Sequence, residues 1–187
     1  MYSFPTTKRI ILGLALILFS LPSQSQIKPE VTLGLRYNSD ILFRTIHDNH
    51  PFAIEVGGGI NYNEKWYTGL NANYFRTKSS ISDAKHYLLE LELRRSFGIE
   101  IVPKLNLNLA FRAGFILIDI YSYLAATKID PYKTMTISAS AGASYSVSEH
   151  FKFSVWPGLT WLPQESSPLS NKQRIGAFCG AGITYIF

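Results

Sequence analysis

From Val31 to Phe187 the chain alternates apolar and polar residues, in one segment after another. Period two is the signature of a strand with one apolar and one polar face. The pattern recurs in eight segments of about ten residues, the length a tilted strand needs to cross a bilayer. The first, Val31 to about Phe43, sets Val31, Leu33, Leu35 and Tyr37 against Thr32, Gly34, Arg36 and Asn38. The second sets Phe52, Ile54, Val56, Ile60 and Tyr62 against Glu55, Gly57 and Asn61; the third sets Trp66, Leu70, Ala72 and Tyr74 against Gly69, Asn71 and Asn73. Tyr87, Leu89, Leu91 and Leu93 oppose Glu90, Glu92 and Arg94 in the fourth, and Leu105, Leu107, Leu109, Phe111 and Phe115 oppose Asn106, Asn108 and Arg112 in the fifth. The sixth carries Met135, Ile137, Ala139 and Tyr145 on its apolar side, the seventh Phe151, Phe153, Val155, Pro157 and Trp161, and the last Ile175, Cys179, Ile183, Tyr185 and Phe187.

Connections alternate in length. Residues 63–65, 102–104 and 147–150 are short links, whereas 40–51, 76–86, 119–133 and 163–173 are long. Short periplasmic turns and longer external loops have this arrangement, with both chain ends on the periplasmic side. The expected fold is an all-β, eight-stranded antiparallel up-and-down transmembrane β-barrel over residues 26–187.

Residues 1–25 read as a signal peptide. Lys8 and Arg9 precede the apolar run Ile10 to Leu21, and Ser23 and Ser25 supply the small residues of a cleavage site near Ser25–Gln26. The run is too short for a transmembrane helix. No basic run points to nucleic acid. The single cysteine, Cys179, has no internal disulfide partner and falls on the apolar register, where a thiol behaves as a small apolar group.

Alternation alone does not say which face is inside; a soluble ligand-binding barrel buries its apolar face. Here the polar face is mostly Gly, Ser, Thr and Asn with few charges, which suits a narrow lumen better than a water-facing exterior. Aromatics on the apolar face gather at the strand ends. Tyr62, Trp66, Phe97, Tyr145, Phe151, Tyr185 and Phe187 lie at the periplasmic ends, and Phe52, Tyr74, Tyr87, Phe115 and Trp161 at the external ends. Two aromatic girdles around an aliphatic waist fit a bilayer, with Phe111 out of pattern.

The last strand ends Gly182, Ile183, Thr184, Tyr185, Ile186, Phe187. Terminal Phe187, Tyr185 two before it and Gly182 upstream resemble the C-terminal assembly signal of bacterial outer-membrane proteins; Gly180 departs from it, standing where a polar residue is usual. The resemblance implies recognition by the barrel-assembly machinery. Across Val31 to Phe187 the layout resembles the OmpA-transmembrane and OmpX-like barrels of the porin-family "outer membrane protein beta-barrel domain". It implies a monomer in the cell outer membrane of a Gram-negative bacterium, with outer-membrane lipid around it. Pro157, in mid-strand, cannot donate a ladder hydrogen bond, and a bulge is expected near Trp156–Gly158.

Arg36, Glu55, Glu90, Glu92, Arg94 and Arg112 share the lumen register, with Arg36, Glu55, Glu90 and Arg112 in its outer half. They are expected to form an ion-paired plug, read as packing of a narrow lumen or, alternatively, as a gate for small ions. His47, His50 and His86 fall in the long external segments near Asp48 and Asp83, but no ligand spacing motif supports a metal site. No His-x-Ser pair, Gly-x-Ser-x-Gly or His-Glu-x-x-His occurs, so no catalytic residue, metal or cofactor is expected and the chain does not read as an enzyme. Tyr121, Ser122, Tyr123, Leu124 and Tyr132 make an aromatic, polar external surface suited to an extracellular ligand. The expected role is structural or loop-mediated binding and adhesion; the alternatives are a narrow ion or small-solute channel and a soluble periplasmic ligand-binding barrel.

Overall fold

A computed structural model describes residues 27–39, 52–63, 65–78, 80, 82–162 and 175–187. The expected signal segment and the long 40–51 and 163–173 connections lie outside these residues. Eight strands follow one another in chain order: β1 (Ile27–Ser39), β2 (Phe52–Tyr62), β3 (Trp66–Lys78), β4 (Ser82–Ile99), β5 (Val102–Ser122), β6 (Thr127–Ser146), β7 (Phe151–Trp161) and β8 (Ile175–Ile186). Each pairs antiparallel with its sequence neighbours, and β1 closes on β8 from Glu30↔Ile186 to Ser39↔Ala177. Closure leaves no sheet edge with unpaired backbone groups, a condition that hydrocarbon imposes.

Alternation decides which side chain goes where. Along β2 and β8 buried and exposed residues alternate, with only Gly59, Tyr62 and Gly182 intermediate. The exposed ones are apolar: Leu33 is 61% exposed, Leu91 58%, Leu109 55% and Val155 51%. The buried ones include Thr32, Glu55, Asn71, Glu90, Ser138 and Thr184. An apolar belt encircling the barrel is far larger than the apolar patches of water-soluble proteins, and it is stable only against acyl chains. The soluble-barrel alternative is thereby excluded. The girdles fall as the sequence places them. Trp66, Phe97, Tyr145, Phe151, Tyr185 and Phe187 are exposed at the end that holds Ile27 and Phe187, where Tyr62 is only partly exposed, and Phe52, Tyr74, Tyr87, Phe115 and Trp161 are exposed at the other.

The turns at the terminal end are short, as expected. Asn63 adopts a left-handed φ of 53° between β2 and β3, and the Val147 amide donates to the Phe151 carbonyl between β6 and β7. Two of the long external connections are shorter than the sequence reading has them. Residues 76–86 are mostly strand, since β3 runs to Lys78 and β4 begins at Ser82; in 119–133, β5 runs to Ser122 and β6 begins at Thr127. From Phe115 to Ser122 the β5–β6 hairpin rises about 23 Å along the strand beyond the outer girdle, at about 3.3 Å per residue. Here Arg76, Lys78, Lys85 and Lys133 stand outward while Ile116 and Ile118 pack inward, so the apolar-out, polar-in alternation that marks a lipid-facing strand is lost.

The bulge expected at Trp156–Gly158 is absent. Between β6 and β7 the register is the same on both sides of a lapse, from Ser140↔Gly158 to Ala143↔Val155, and β7 pairs with β8 without interruption through Pro157↔Cys179. The donor that Pro157 lacks is missed on the β6 side alone. Forgoing local pairing there keeps Pro157 outward and Trp156 inward, whereas an inserted residue would reverse every side chain beyond it.

Candidate functional site: the charged lumen and its aromatic fillers

The six charged residues that share the lumen register all turn inward, and the structure joins them into one chain. Arg36 on β1 approaches Glu90 on β4 at 3.2 Å, donates from Nε to Asn38 Oδ1 at 3.0 Å and from its second amino group to Thr160 Oγ1 at 2.8 Å. Glu90 also accepts from Ser138 Oγ at 2.7 Å and lies 3.9 Å from Arg112. Arg112 on β5 grips both Glu55 oxygens at 3.1 Å, and its Nε stands 2.8 Å from Glu92. Glu92 accepts from Asn71 at 2.6 Å and is 3.7 Å from Arg94. Arg94 passes to Glu30 at 2.8 Å, and Glu30 accepts from Asn61 at 2.8 Å and Lys152 at 3.1 Å.

Glu30 and Lys152 were not among the expected lumen charges. Both share the lumen phase, Glu30 with Thr32 and Lys152 with Ser154, but Pro29 disguises the start of β1. With them the chain balances: Glu30, Glu55, Glu90 and Glu92 face Arg36, Arg94, Arg112 and Lys152. Ions withdrawn from water need partners and saturated hydrogen bonds, and each member of this chain has an opposite charge beside it.

Between the charges lie aromatic rings that the sequence reading missed. The Arg36 guanidinium sits 3.7 Å over the Phe178 ring and that of Arg94 4.1 Å over Tyr67. Trp156 on β7 lies inside the lumen over the neighbouring strands β8 and β1. A Cβ at Gly182 would stand 2.8 Å from its ring and one at Gly34 3.0 Å, and a Cβ at Gly180 would fall on the indole itself. Gly180, which departs from the assembly-signal pattern, is therefore the floor on which Trp156 rests. Only about 30 Å³ stays open amid Glu55, Tyr67, Glu92, Arg112 and Trp156, room for about one water.

Toward the external mouth an apolar layer lies across the lumen: Ala53, Phe75, Leu88, Ile116 and Leu162, with Ile118 against it. His86 belongs here. Expected in an external loop, it is instead buried inside β4, its ring stacked on Phe75 at 4.3 Å and its Nε2 3.0 Å from Thr77 Oγ1. The hairpin stays in strand geometry this far up, and the lumen phase of β4 (Glu92, Glu90, Leu88) carries His86 inward. His47, His50 and Asp48 lie outside the described residues. Asp83 pairs with Arg76 across the β3–β4 hairpin, Arg76 Nε donating at 2.7 Å. At the terminal mouth a vestibule of about 670 Å³ opens among Lys28, Glu30, Lys104, Glu149 and Lys152.

The Arg76–Asp83 pair stands above the outer girdle, in water. The hydrogen bond from Arg76, ahead of opposing desolvation, holds the Asp83 carboxyl below its ordinary value of 3.8. A depressed carboxyl stabilises the hairpin tip above that ordinary value and ceases to do so as pH falls through the lower folded one. Amide chemical shifts of Lys78 and Asp83 should thus stay nearly constant as pH falls to the ordinary carboxyl value of 3.8 and move only in stronger acid. A titration midpoint at or above 3.8 would mean that the pair does not form.

The end of the chain is tied into the barrel seam. Tyr185 lies opposite Val31 on β1 and Phe151 on β7, the Phe187 amide donates to the Pro29 carbonyl at 3.0 Å, and the Tyr185 ring meets Phe187 at 4.9 Å and Phe151 at 5.1 Å. Gly182 sits upstream in the same strand under the Trp156 ring.

No protein-family model matches the sequence, and no curated protein is significantly similar to it. Solved structures resemble it in fold. Neisserial surface protein A (NspA) superposes with a TM-score of 0.66 at 12% identity, covering 88% of this chain and 100% of that one. A major outer membrane protein from Thermus thermophilus gives 0.64 at 7% identity over 87% and 100% of the two chains. Ail, the attachment invasion locus protein of Yersinia pestis, gives 0.52 at 13% identity over 87% and 97%. The outward apolar belt requires acyl chains, and the closed barrel is the fold of these outer-membrane proteins: the chain is a small eight-stranded membrane β-barrel that shares their fold.

Proposed function

We propose that the barrel is a sealed membrane anchor that presents its external hairpins for binding. The observation that carries this reading is the double closure of the lumen, by a charge-balanced chain of paired side chains and by an apolar layer across the external mouth. A lumen filled in this way offers no continuous path for water, and an ion entering it would displace paired charges in a low-dielectric interior. What remains for interaction is the surface above the bilayer. The β5–β6 hairpin ends in Tyr123, 47% exposed, and Leu124, 80% exposed, with the Tyr121 and Tyr123 rings in contact at 5.6 Å. Rigid aromatics at an exposed tip suit protein recognition. That Ail, of the same fold, is described as an attachment invasion locus protein supports an adhesive role.

Two measurements test the reading. Refolded barrel in a planar bilayer should give no discrete current steps; steps that disappear on replacing Arg112 would move the assignment to the channel alternative. Cells displaying the barrel should adhere to an epithelial monolayer, and replacing Tyr123 and Leu124 by Gly and Ser should remove that adhesion. Undiminished adhesion by the variant would refute binding through this hairpin.

A further inference from the structure

The lipid-facing wall is not uniform. On the side formed by β2 to β6, at the level of the outer girdle, it is cut by a groove of about 620 Å³. Its floor is Ala72, a methyl group between Val56 on β2 and Leu89 on β4, which lie opposite it in the sheet. The Tyr74 and Tyr87 rings, 5.3 Å apart, close its upper edge; Phe115 forms its flank and Lys133 its upper corner.

Above the groove the outward residues become basic: Arg76 and Lys78 on β3, Lys85 on β4, Lys128 and Lys133 on β6. Acidic neighbours engage two of them, Asp83 with Arg76 and Asp119 with Lys128. Lys78 and Lys85 stand opposite the same two carboxylates across the sheet, at Lys78↔Asp83 and Lys85↔Asp119, without an ion pair of their own among the described residues, and Lys133 lies opposite Leu117. Counted against Asp83, Asp119 and the exposed Asp130, these five basic residues leave a net positive charge over the groove.

We propose that this wall is a specific site for a phosphorylated, multiply acylated lipid of the outer leaflet. An acyl chain fills the notch over Ala72 between Val56 and Leu89, and the headgroup phosphate is held by Lys133 and Lys85 above the tyrosine pair. Each part answers one half of an amphiphile: an apolar trough at acyl depth and ammonium donors at headgroup depth. A neutral lipid would satisfy only the trough, and a soluble anion only the lysines.

The test is native mass spectrometry of the full barrel, refolded and released from phosphatidylcholine vesicles containing bisphosphorylated lipid A. Wild-type barrel should retain one lipid A molecule. Lys85→Gln combined with Lys133→Gln should weaken retention about thirtyfold, two basic contacts being lost. Ala72→Phe, which fills the trough and keeps the lysines, should also weaken it, while Lys104→Gln at the periplasmic end should not. Heat-modifiable gel migration shows that each variant is folded. Equal retention of lipid A stripped of its phosphates, or unchanged retention in either groove variant, overturns the proposal. So does displacement of the lipid by millimolar inorganic phosphate, which would reveal a plain anion site.

Discussion

Arg112→Ala should lower the unfolding free energy of the refolded barrel by about 3–5 kcal/mol, the range for removing one partner of a buried ion pair. Arg112 is the hub of the lumen. It binds Glu55 through both oxygens, stands 2.8 Å from Glu92 and reaches Glu90 at 3.9 Å, all within a few per cent of complete burial. Without it, three carboxylates would be left with only Arg36 and Arg94 to neutralise them, and the cost would come from those stranded charges more than from lost attraction. The measurement is a reversible urea titration in detergent or thin liposomes, read by tryptophan fluorescence. Removing Glu55 as well, by Glu55→Gln, should return part of the loss, because one stranded charge disappears with it. Arg112→Lys should fall between wild type and Arg112→Ala, keeping the charge but not the two-pronged grip. A loss below about 1 kcal/mol, the level of an exposed pair, would mean that water reaches this cluster and the lumen is not sealed.

The outward half of the barrel was legible in the sequence and the inward half only in part, and the two solvents explain the difference. Acyl chains accept almost nothing but apolar groups, so Leu33, Val56, Leu91, Leu109 and Val155 mark their face without ambiguity. A packed lumen accepts anything that fills its neighbours' gaps. Tyr67, Phe75, Trp156 and Phe178 are as apolar as the girdle residues, yet they point inward. Their phase could have shown it: Trp156 lies two residues from both Ser154 and Gly158, and Phe178 two from both Gly176 and Gly180. Size complementarity points the same way, since glycines on neighbouring strands make the room that a large inward ring requires. The charges Arg36, Glu55, Glu90, Glu92, Arg94 and Arg112 were visible because charge on a membrane strand has only one direction to face. Their connectivity was not visible, because it depends on how strands far apart in sequence oppose one another across the lumen. His86 was misread for a related reason. Beyond the outer girdle, lipid no longer forces one face to be apolar, and alternation loses its meaning.

Gly180→Leu should stop the chain from reaching its compact, heat-modifiable form, whereas Trp156→Ala should fold but lose about 3–5 kcal/mol of stability to the cavity left behind. The pairing of these two effects follows from one contact. The Trp156 indole lies against Gly180 of β8, with Gly182 and Gly34 beside its far edge, so that a side chain at Gly180 and the indole claim the same space. Neither can yield: Trp156 stands on a strand locked to β8 in continuous register from Phe151↔Tyr185 to Trp161↔Ile175, and the opposite wall is occupied by Arg112 and its carboxylates. Outward escape of the ring would reverse the facing of β7 and bring Lys152 and Ser154 into lipid. Removing the ring should therefore rescue the bulk. Trp156→Ala combined with Gly180→Leu should recover folded barrel, with the leucine filling part of the cavity, and approach the stability of Trp156→Ala alone. Gel mobility before and after heating reads the first effect, and urea titration the second. Folding of the Gly180→Leu single variant at wild-type stability would show that the indole rests elsewhere. Failure of the double variant to fold would show that Gly180 is needed for the closure of β8 on β1, independently of what lies above it.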